Sequence, residues 1–444
     1  MADAIVIGGG VMGLAASREL RRRGYTVTLL ERAKPGRAAS WASAGIVGAT
    51  LRDESDPSYH LRRVSRELWP AFADAVYSES GMDPEYREMG CIQLASDGDE
   101  LLALQRAARR QRGNETTNEQ PNGEPAPELL DPKQLRELEP ALSANLAGGL
   151  LVPGGNVDNR RLCKALEIAA RRAGVQIETG VEVVSVTTTG GKVSGVDISP
   201  RSAPALHRAV GEGSGALGHG SSTHSAAVGE GGGAHDHGSS THSPAVGEGS
   251  GALGHGTSTI RGSSEFRRGA DLVLLAAGAW SANIANLRPV PPIAPQRGQI
   301  LALDQSSVGV RHVLLTPGDP YFVPRADGRL VIGATREEAG WDPSLTAGGI
   351  AWLLNRAMDV VPALQDCPIA EMWTGFRPAS ADGLPLIGQG GYDGLYFLTG
   401  HGPSGIAPLP GSIALLMALI HNEPPPLPAD AFNPRRFENR GQAA

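Results

Sequence analysis

Three stretches of this 444-residue chain carry residue types that could do chemistry. "IVIGGGVMGLAASREL" sets Gly8, Gly10 and Gly13 in G-x-G-x-x-G spacing between an apolar run and an amphipathic one. The first glycine permits a tight turn, the second lets a ligand approach the backbone, and the third allows close helix–strand packing. A helix starting with Val11 and Met12 would turn its N–H groups toward a diphosphate. Glu31, followed by Arg32, closes the next apolar run, where a carboxylate accepts ribose hydroxyls and repels a 2′-phosphate. Near the other end, "LTGHGPSGI" holds Gly400, His401, Gly402, Ser404, Gly405 and Ile406 between a β-type run and a helical one. Such a turn brings backbone N–H groups against a ligand, and a helix start there would add a partial positive charge. Between them lies Arg377, in "TGFRPASADGLP". A guanidinium fork grips a carboxylate through two hydrogen bonds, and the apolar neighbours Phe376 and Pro378 argue against a surface ion pair.

The elements that must hold these residues can be read from apolar spacing. Residues 3–31 read strand, glycine turn, helix, strand; residues 159–189 read helix and strand pair; residues 271–279 form a buried strand ending in small residues. This alternation predicts a mostly parallel sheet with helices on its faces. The chain is long enough for two domains with sizeable cores. A net charge of −7 gives no reason to expect nucleic acid or an anionic membrane as partner. Three scattered cysteines, Cys91, Cys163 and Cys367, form no CxxC and read as reduced thiols. The start "MADAIVIGGG" lacks the pattern of a cleaved signal, and the apolar run Ile406–Ile420 is broken by Pro408 and Pro410. The expectation is a soluble, cytoplasmic protein without a membrane span.

Two stretches interrupt the pattern. Residues 112–128 are polar with Pro and Gly, a surface loop. In 201–265, "AVGEG" recurs at 209, 227 and 245, and apolar side chains are nearly absent. Such a segment cannot bury enough surface to offset its ordering, so it reads as a disordered insert in a hairpin between "KVSGVDIS" and "ADLVLLAAG". Seven of the eleven histidines lie there, His235 and His237 among them. A solvated loop is preferred to a metal site, because nothing fixes the geometry a selective site requires.

After Glu31 comes "RAKPGRAASWASAGIVGA", small and glycine-rich, with no second strand–helix unit at once. There, and in "DNRRLCKALEIAARRAGVQIETGVEVVSV", "LVLLAAGAW", "YFVPRADGRLVIGATREEAGWD", "WTGFRPASADGLPLIG" and "YFLTGHGPSGIAPLPG", the chain resembles the D-amino-acid oxidase family of flavoproteins, glycine oxidases in particular. The resemblance implies FAD as cofactor. It sets Ser40, Ala44, Gly45 and Ile46 beneath the diphosphate and ring, Val183 at the adenine, and Ala277, Gly278 and Trp280 within cofactor reach. It brings the late glycine turn to the edge of the flavin where reduction leaves negative charge. It assigns Arg377 to the substrate α-carboxylate, with Tyr321 beside it.

The chain departs from glycine oxidases at two places. Pro403 stands where they have a second arginine, and Arg336 stands where they have an apolar side chain. Arg336 then either supplies the missing charge, or meets a polar group on a larger substrate, or points to solvent. His401 could modulate the flavin, donate a hydrogen bond or cap, and receives no proton-transfer role. The implied reaction is hydride transfer from the amine-bearing carbon of glycine, sarcosine or a D-amino acid to the flavin, giving an imino acid, then an oxo acid and ammonia. The acceptor is oxygen or another electron acceptor, a dehydrogenase passing electrons to a quinone or protein being the alternative to an oxidase; a homo-oligomer is compatible with the sequence. The expected fold is a Rossmann-type α/β FAD-binding domain from 1–84, 145–290 and 373–444. A mixed-sheet α+β substrate domain comes from 85–144 and 291–372.

Overall fold

The computed structural model describes residues 2–48, 55–112, 126–200, 267–318 and 320–442. The expected repeat insert at 201–265, its histidines, and most of the polar loop at 112–128 lie outside these residues. "AIVI" is apolar at successive positions, so a strand made from it must bury both faces. Asp3–Ile7 does so near the centre of a six-stranded sheet ordered Leu386–Gln389, Leu395–Thr399, Leu272–Leu275, Asp3–Ile7, Thr26–Glu31, Gln176–Thr179. All neighbours run parallel except the pair at the Leu386–Gln389 edge. Ala4 and Val6 point into one core, shared with the helices Val11–Arg22, Pro57–Ser80, Asn159–Arg172 and Leu409–His421.

Ile5 and Ile7 point the other way. Helices were expected there as well, but an antiparallel sheet of Val181–Thr189, Lys192–Pro200 and Arg267–Gly269 covers that face. Val183, Val186, Val193, Val196 and Ile198 give it the apolar side that a helix would otherwise supply. In sequence, the repeat segment falls between Lys192–Pro200 and Arg267–Gly269, just ahead of the buried strand Leu272–Leu275.

The second sheet has eight strands, ordered Ile369–Ser380, Ile293–Asp304, Arg329–Gly333, Tyr321–Pro324, Val313–Leu315, Cys91–Ala95, Gly148–Val152, Glu128–Leu130. It is mixed, because Val313–Leu315 runs parallel to Cys91–Ala95 while the other pairs are antiparallel. Gly148–Val152 pairs in this sheet although the expected boundary at 145 assigns it to the nucleotide part. Residues 373–380 likewise continue a ladder with Ile293–Asp304 straight through the expected boundary at 372. Arg377 therefore belongs to the mixed sheet: the apolar composition around it marked no break, and the pairing has none. One face packs under the Ala347–Val360 helix through Leu301, Leu303, Phe322 and Ile332. The other face, with Ile300, Val323, Val331 and Trp373, packs on Ala42 and Ala44.

The long helix Pro57–Ser80 starts where the Asp56 side chain accepts from Ser58 N at 2.8 Å and stops at Gly81, whose φ is +70°. Its Trp69 is fully buried, stacks on Tyr86, and donates from Nε1 to Ala407 O at 2.9 Å. That bond ties the helix to the chain entering the Leu409–His421 helix. Trp69→Ala is expected to cost about 3–5 kcal/mol through lost burial and a cavity, and Trp69→Phe distinctly less. Urea denaturation of the two variants against the parent measures the difference.

Candidate active site

The four central parallel strands end side by side, and they lead into the Gly8 turn, Glu31, the Ala276–Gly278 turn and Gly400. Ligands of open parallel sheets bind at such carboxyl ends. The glycines there divide into two kinds. A Cβ on Gly13 would lie 1.9 Å from Gly8 O, and one on Gly8, whose φ is +104°, 2.5 Å from Ala276 O, so both serve the turn and its packing. A Cβ on Gly10 would meet only Ser40 Oγ, at 3.3 Å. Around Gly278 and Gly402 no described heavy atom would come within 4 Å of one. These last three line the crevice.

Glu31 folds back onto the turn, accepting from Gly9 N at 2.7 Å and Ala33 N at 2.8 Å, and each oxygen keeps a further lone pair for a hydroxyl. Ser40 Oγ accepts from Val11 N at 3.1 Å. The first helical N–H, expected to face a diphosphate, is thus already capped. Met12 is buried in the helix-side core. The segment following Ser40 has its carbonyls turned into protein. Ser40 O and Trp41 O accept from Asn159 Nδ2, Ala42 O from Trp373 Nε1, Ala44 O from Arg325, and Gly45 O from Val157 N. Oxygens that would repel a diphosphate are held away. Ile46 continues into a short strand paired with Asn156.

Across from this segment stands the face of the mixed sheet that carries Trp373, Gly375 and Arg377 at alternating positions. Gly298 pairs with Gly375, Ile300 with Trp373 and with Gly333, and Gly333 with Tyr321. Tyr321 and Arg377 therefore share one face. Three glycines on it, with no left-handed φ, are needed for space alone. A Cβ on Gly298 would lie 2.7 Å from Arg377 Nη2, one on Gly333 2.7 Å from Tyr321 Oη, and one on Gly375 2.5 Å from the Ala42 Cβ. Arg377 Nη1 donates to Thr335 O at 2.9 Å. The late turn arrives here too, since His401 forms a β-bridge with Ala379, two residues beyond Arg377.

A crevice of this kind has counterparts among known proteins. The family described as "DAO: FAD dependent oxidoreductase" matches residues 3–221 and 241–419. The chain belongs to this family. It is 29% identical to the glycine oxidase of Pseudomonas aeruginosa, with 95% of each chain covered. It is also 29% identical to the bifunctional protein ThiO/ThiG of Synechocystis sp., over 98% of this chain and only 54% of that protein, so it spans about half the length of that relative. The crystal structure of glycine oxidase from Geobacillus kaustophilus superposes with a TM-score of 0.76 at 25% identity, covering 98% of both chains. The protein is an FAD-dependent oxidoreductase with the fold of those enzymes. The residues present fit that cofactor: Gly10, Gly278 and Gly402 leave the room a Cβ would fill, and the Glu31 carboxylate, held by Gly9 N, keeps acceptor capacity at the end of its strand.

The remaining predicted residues lie in differing surroundings. Arg32 lies 4.1 Å over the Trp280 ring, and Trp280 stacks on Trp341 with centroids 4.7 Å apart. Val183 is buried in the strand that covers the parallel sheet. Ala277 is half-buried and opens the turn to Gly278. Ile406 is buried; Ser404 and Gly405 are half-buried, and Pro403 is exposed. Arg336 is exposed, one residue beyond the carbonyl that holds Arg377, and its neighbour Glu337 pairs with Arg297. The expected handover from glycine turn to helix is looser than the sequence suggested. A 3₁₀ turn at Gly402–Ser404 comes first, and the helix begins at Leu409 with its N–H groups taken by Ile406 O, Ser65 Oγ and Pro408 O. Among the described residues no group of three or more His, Cys, Asp and Glu is arranged to hold a metal.

Sequence reasoning passed over Gly298, Gly333, Gly375, Trp373, Asn159 and Arg325, although most lie within the family-like motifs. Only the glycines carried a signal: strand interiors disfavour glycine, so three within paired strands mark close approach. Gly375→Ala should drive the mixed sheet off the Ala42 segment and lower retention of FAD on dilution, measured by flavin fluorescence. His401 is buried, with Nε2 3.1 Å from Ser412 Oγ, and burial drives its pKa down from 6.5 to about 3. A neutral form favoured in this way adds stability above pH 6.5 that fades as pH falls toward the folded value. His401→Gln should therefore shrink the acid loss of stability, seen as urea midpoints that converge with the parent's between neutral pH and about pH 4.

Proposed function

We propose that the protein oxidises the amine-bearing carbon of a small amino acid, namely glycine, sarcosine or a D-amino acid. The product is an imino acid, which water converts to an oxo acid and ammonia, or methylamine where the substrate is sarcosine. One observation carries this reading: Tyr321 and Arg377 share the sheet face that packs on Ala42 and Ala44, beside the His401 bridge. A relative named glycine oxidase, 29% identical over 95% of both chains, supports the substrate class.

Bound FAD supplies the two-electron oxidant. The chain's own groups bind and orient. The Arg377 fork pairs with the α-carboxylate and fixes both its position and its plane, while Thr335 O steadies one end of the guanidinium. The Tyr321 hydroxyl, seated over Gly333, meets the same carboxylate. An amine arriving unprotonated donates its own lone pair to the forming C=N bond. His401, kept neutral by burial and held on Ser412, contributes shape and polarity. Orientation of the reacting carbon supplies much of the acceleration. Arg336, exposed one residue past Thr335, suits contact with a polar or acidic group on the outer part of a larger substrate.

The strand pairing supports a division in which 1–84, about 157–290 and 381–444 hold FAD, while the strands of the mixed sheet form the substrate part. Oxygen is the acceptor we favour; peroxide release under air, set against reduction of an artificial dye, separates oxidase from dehydrogenase. The test of the reading itself is anaerobic mixing with glycine, sarcosine, D-alanine and D-proline. At least one should bleach the visible flavin band. Arg377→Met should then raise KM for that substrate by about two orders of magnitude, the loss expected when one partner of a bound charge pair is removed. Full colour with all four, or an unchanged KM in the variant, would sink the proposal.

A further inference from the structure

Arg325 follows Pro324 at the end of the Tyr321 strand and reaches out of the mixed sheet. Its Nη1 donates to Val157 O at 2.9 Å, and its Nη2 to Ala44 O and Asn159 Oδ1, each at 2.8 Å. All three acceptors are uncharged. Arg325 is half-buried, and the loss of water around its guanidinium works against its charge, an effect that the nearby carboxylates of Asp158 and Asp327 partly offset. Retaining a cation for three neutral oxygens makes sense when the five-donor fork is the feature required. Those oxygens sit at specific places in the chain. Ala44 lies in the 40–45 segment, and Asn159, 2% exposed, holds Ser40 O and Trp41 O of the same segment at 2.9 and 2.7 Å. Val157 N donates to Gly45 O at 2.9 Å, and Asn156 Nδ2 donates to Pro324 O at 2.9 Å. Three distant pieces of chain, 40–45, 156–159 and 324–325, are thus closed into one junction.

We propose that Arg325 and Asn159 are positioning residues that register the Tyr321 strand against the 40–45 segment and thereby set the affinity and pose of FAD. Neither residue needs to touch the reacting atoms. The inference rests on reading 40–45 as the cofactor segment and is independent of which substrate is oxidised. Without the fork, Ala44 O is released and can swing toward the crevice, where its dipole opposes the diphosphate. Lysine cannot replace it, because a point ammonium does not span three oxygens on two separate backbones.

The experiment titrates FAD into flavin-stripped protein, read by quenching of flavin fluorescence, with visible circular dichroism of the reconstituted protein reporting the pose. Arg325→Lys and Arg325→Ala are expected to bind FAD roughly tenfold more weakly or worse and to show an altered visible dichroism. Methylguanidinium added to Arg325→Ala should restore both, which a general loss of stability would not permit. Asn159→Ser leaves the guanidinium in place and should show the same pair of changes, which covers the case in which the arginine variants do not fold. Leu364→Ala, destabilised in the core on the opposite face of the mixed sheet, should keep parental affinity. Ser43→Asp tests the segment alone: if it leaves FAD binding intact, the reading of 40–45 fails. If Ser43→Asp weakens FAD while Arg325→Lys and Asn159→Ser keep parental affinity and dichroism, the positioning role is overturned by itself.

Discussion

The site depends on how closely the backbone of the mixed sheet approaches the small segment after Ser40. Two residues control that distance. Trp373 donates to Ala42 O at 3.0 Å, and Gly375, two residues on, leaves room for the Ala42 methyl that any side chain would displace. The spacing is set by a hydrogen bond on one side and by a missing Cβ on the other, so it can neither open nor close without loss. Arg160 locks the outer edge, stacked 3.7 Å from Trp41 and paired through two hydrogen bonds with Glu371. Arg377 inherits its position from this contact, because it continues the alternation that begins at Trp373.

The two arginines of the paired strands have opposite surroundings, and the difference comes from the faces they occupy. Arg297 points to the far side, where it is 5% exposed and paired with Glu337 and Asp342. Hydrogen bonding to Glu337 first, then the Coulombic pull of both carboxylates, keeps its proton more firmly held than usual. Arg377 points to the face that packs on Ala42 and Ala44, and its Nη1 donates to Thr335 O at 2.9 Å and Arg297 O at 3.4 Å. The acids Glu337 and Asp342 are meanwhile committed to Arg297 behind the sheet, away from the face that carries Arg377.

Much of the nucleotide half was legible because its signals are local. The Gly8 turn, the helix after it and the acid at Glu31 are fixed by spacing within one strand–helix–strand unit, and the structure has them where the spacing set them. The run "LVLLAAGA" could be read as buried because it is apolar on both faces. What failed was non-local. Nothing in "VEVVSVTTT" says that its valines cover the second face of the parallel sheet, since a helix could supply the same apolar surface. The ladder across 372 could not be read because a strand's end is defined by its partner, and the partner of Arg377 is Gln296, eighty-one positions earlier. Arg325 and Asn159 escaped for the same reason. Their roles are set by acceptors on two other pieces of chain, and a lone arginine after "YFVP" gives no sign of them.

The loop behind Arg377 shows how a charge pair can act at one remove. Glu337 is destabilised as an anion by burial, yet hydrogen bonds from Thr335, Arg297 and Gln299 overcome this and hold its carboxyl below the usual range. Thr335 is pinned on both sides: its hydroxyl donates to Glu337 and accepts from Gln299 N at 2.8 Å, and its own N–H donates to Gln299 O at 3.2 Å. Thr335 O is then left with a fixed direction, toward Arg377 Nη1. A flexible carbonyl would let the guanidinium rotate and would dilute the advantage of a planar fork, which lies in orientation as much as in charge. The buried ion pair is therefore better understood as the support of one carbonyl than as a source of stability, a role that fits the small net worth of buried pairs once their desolvation is counted.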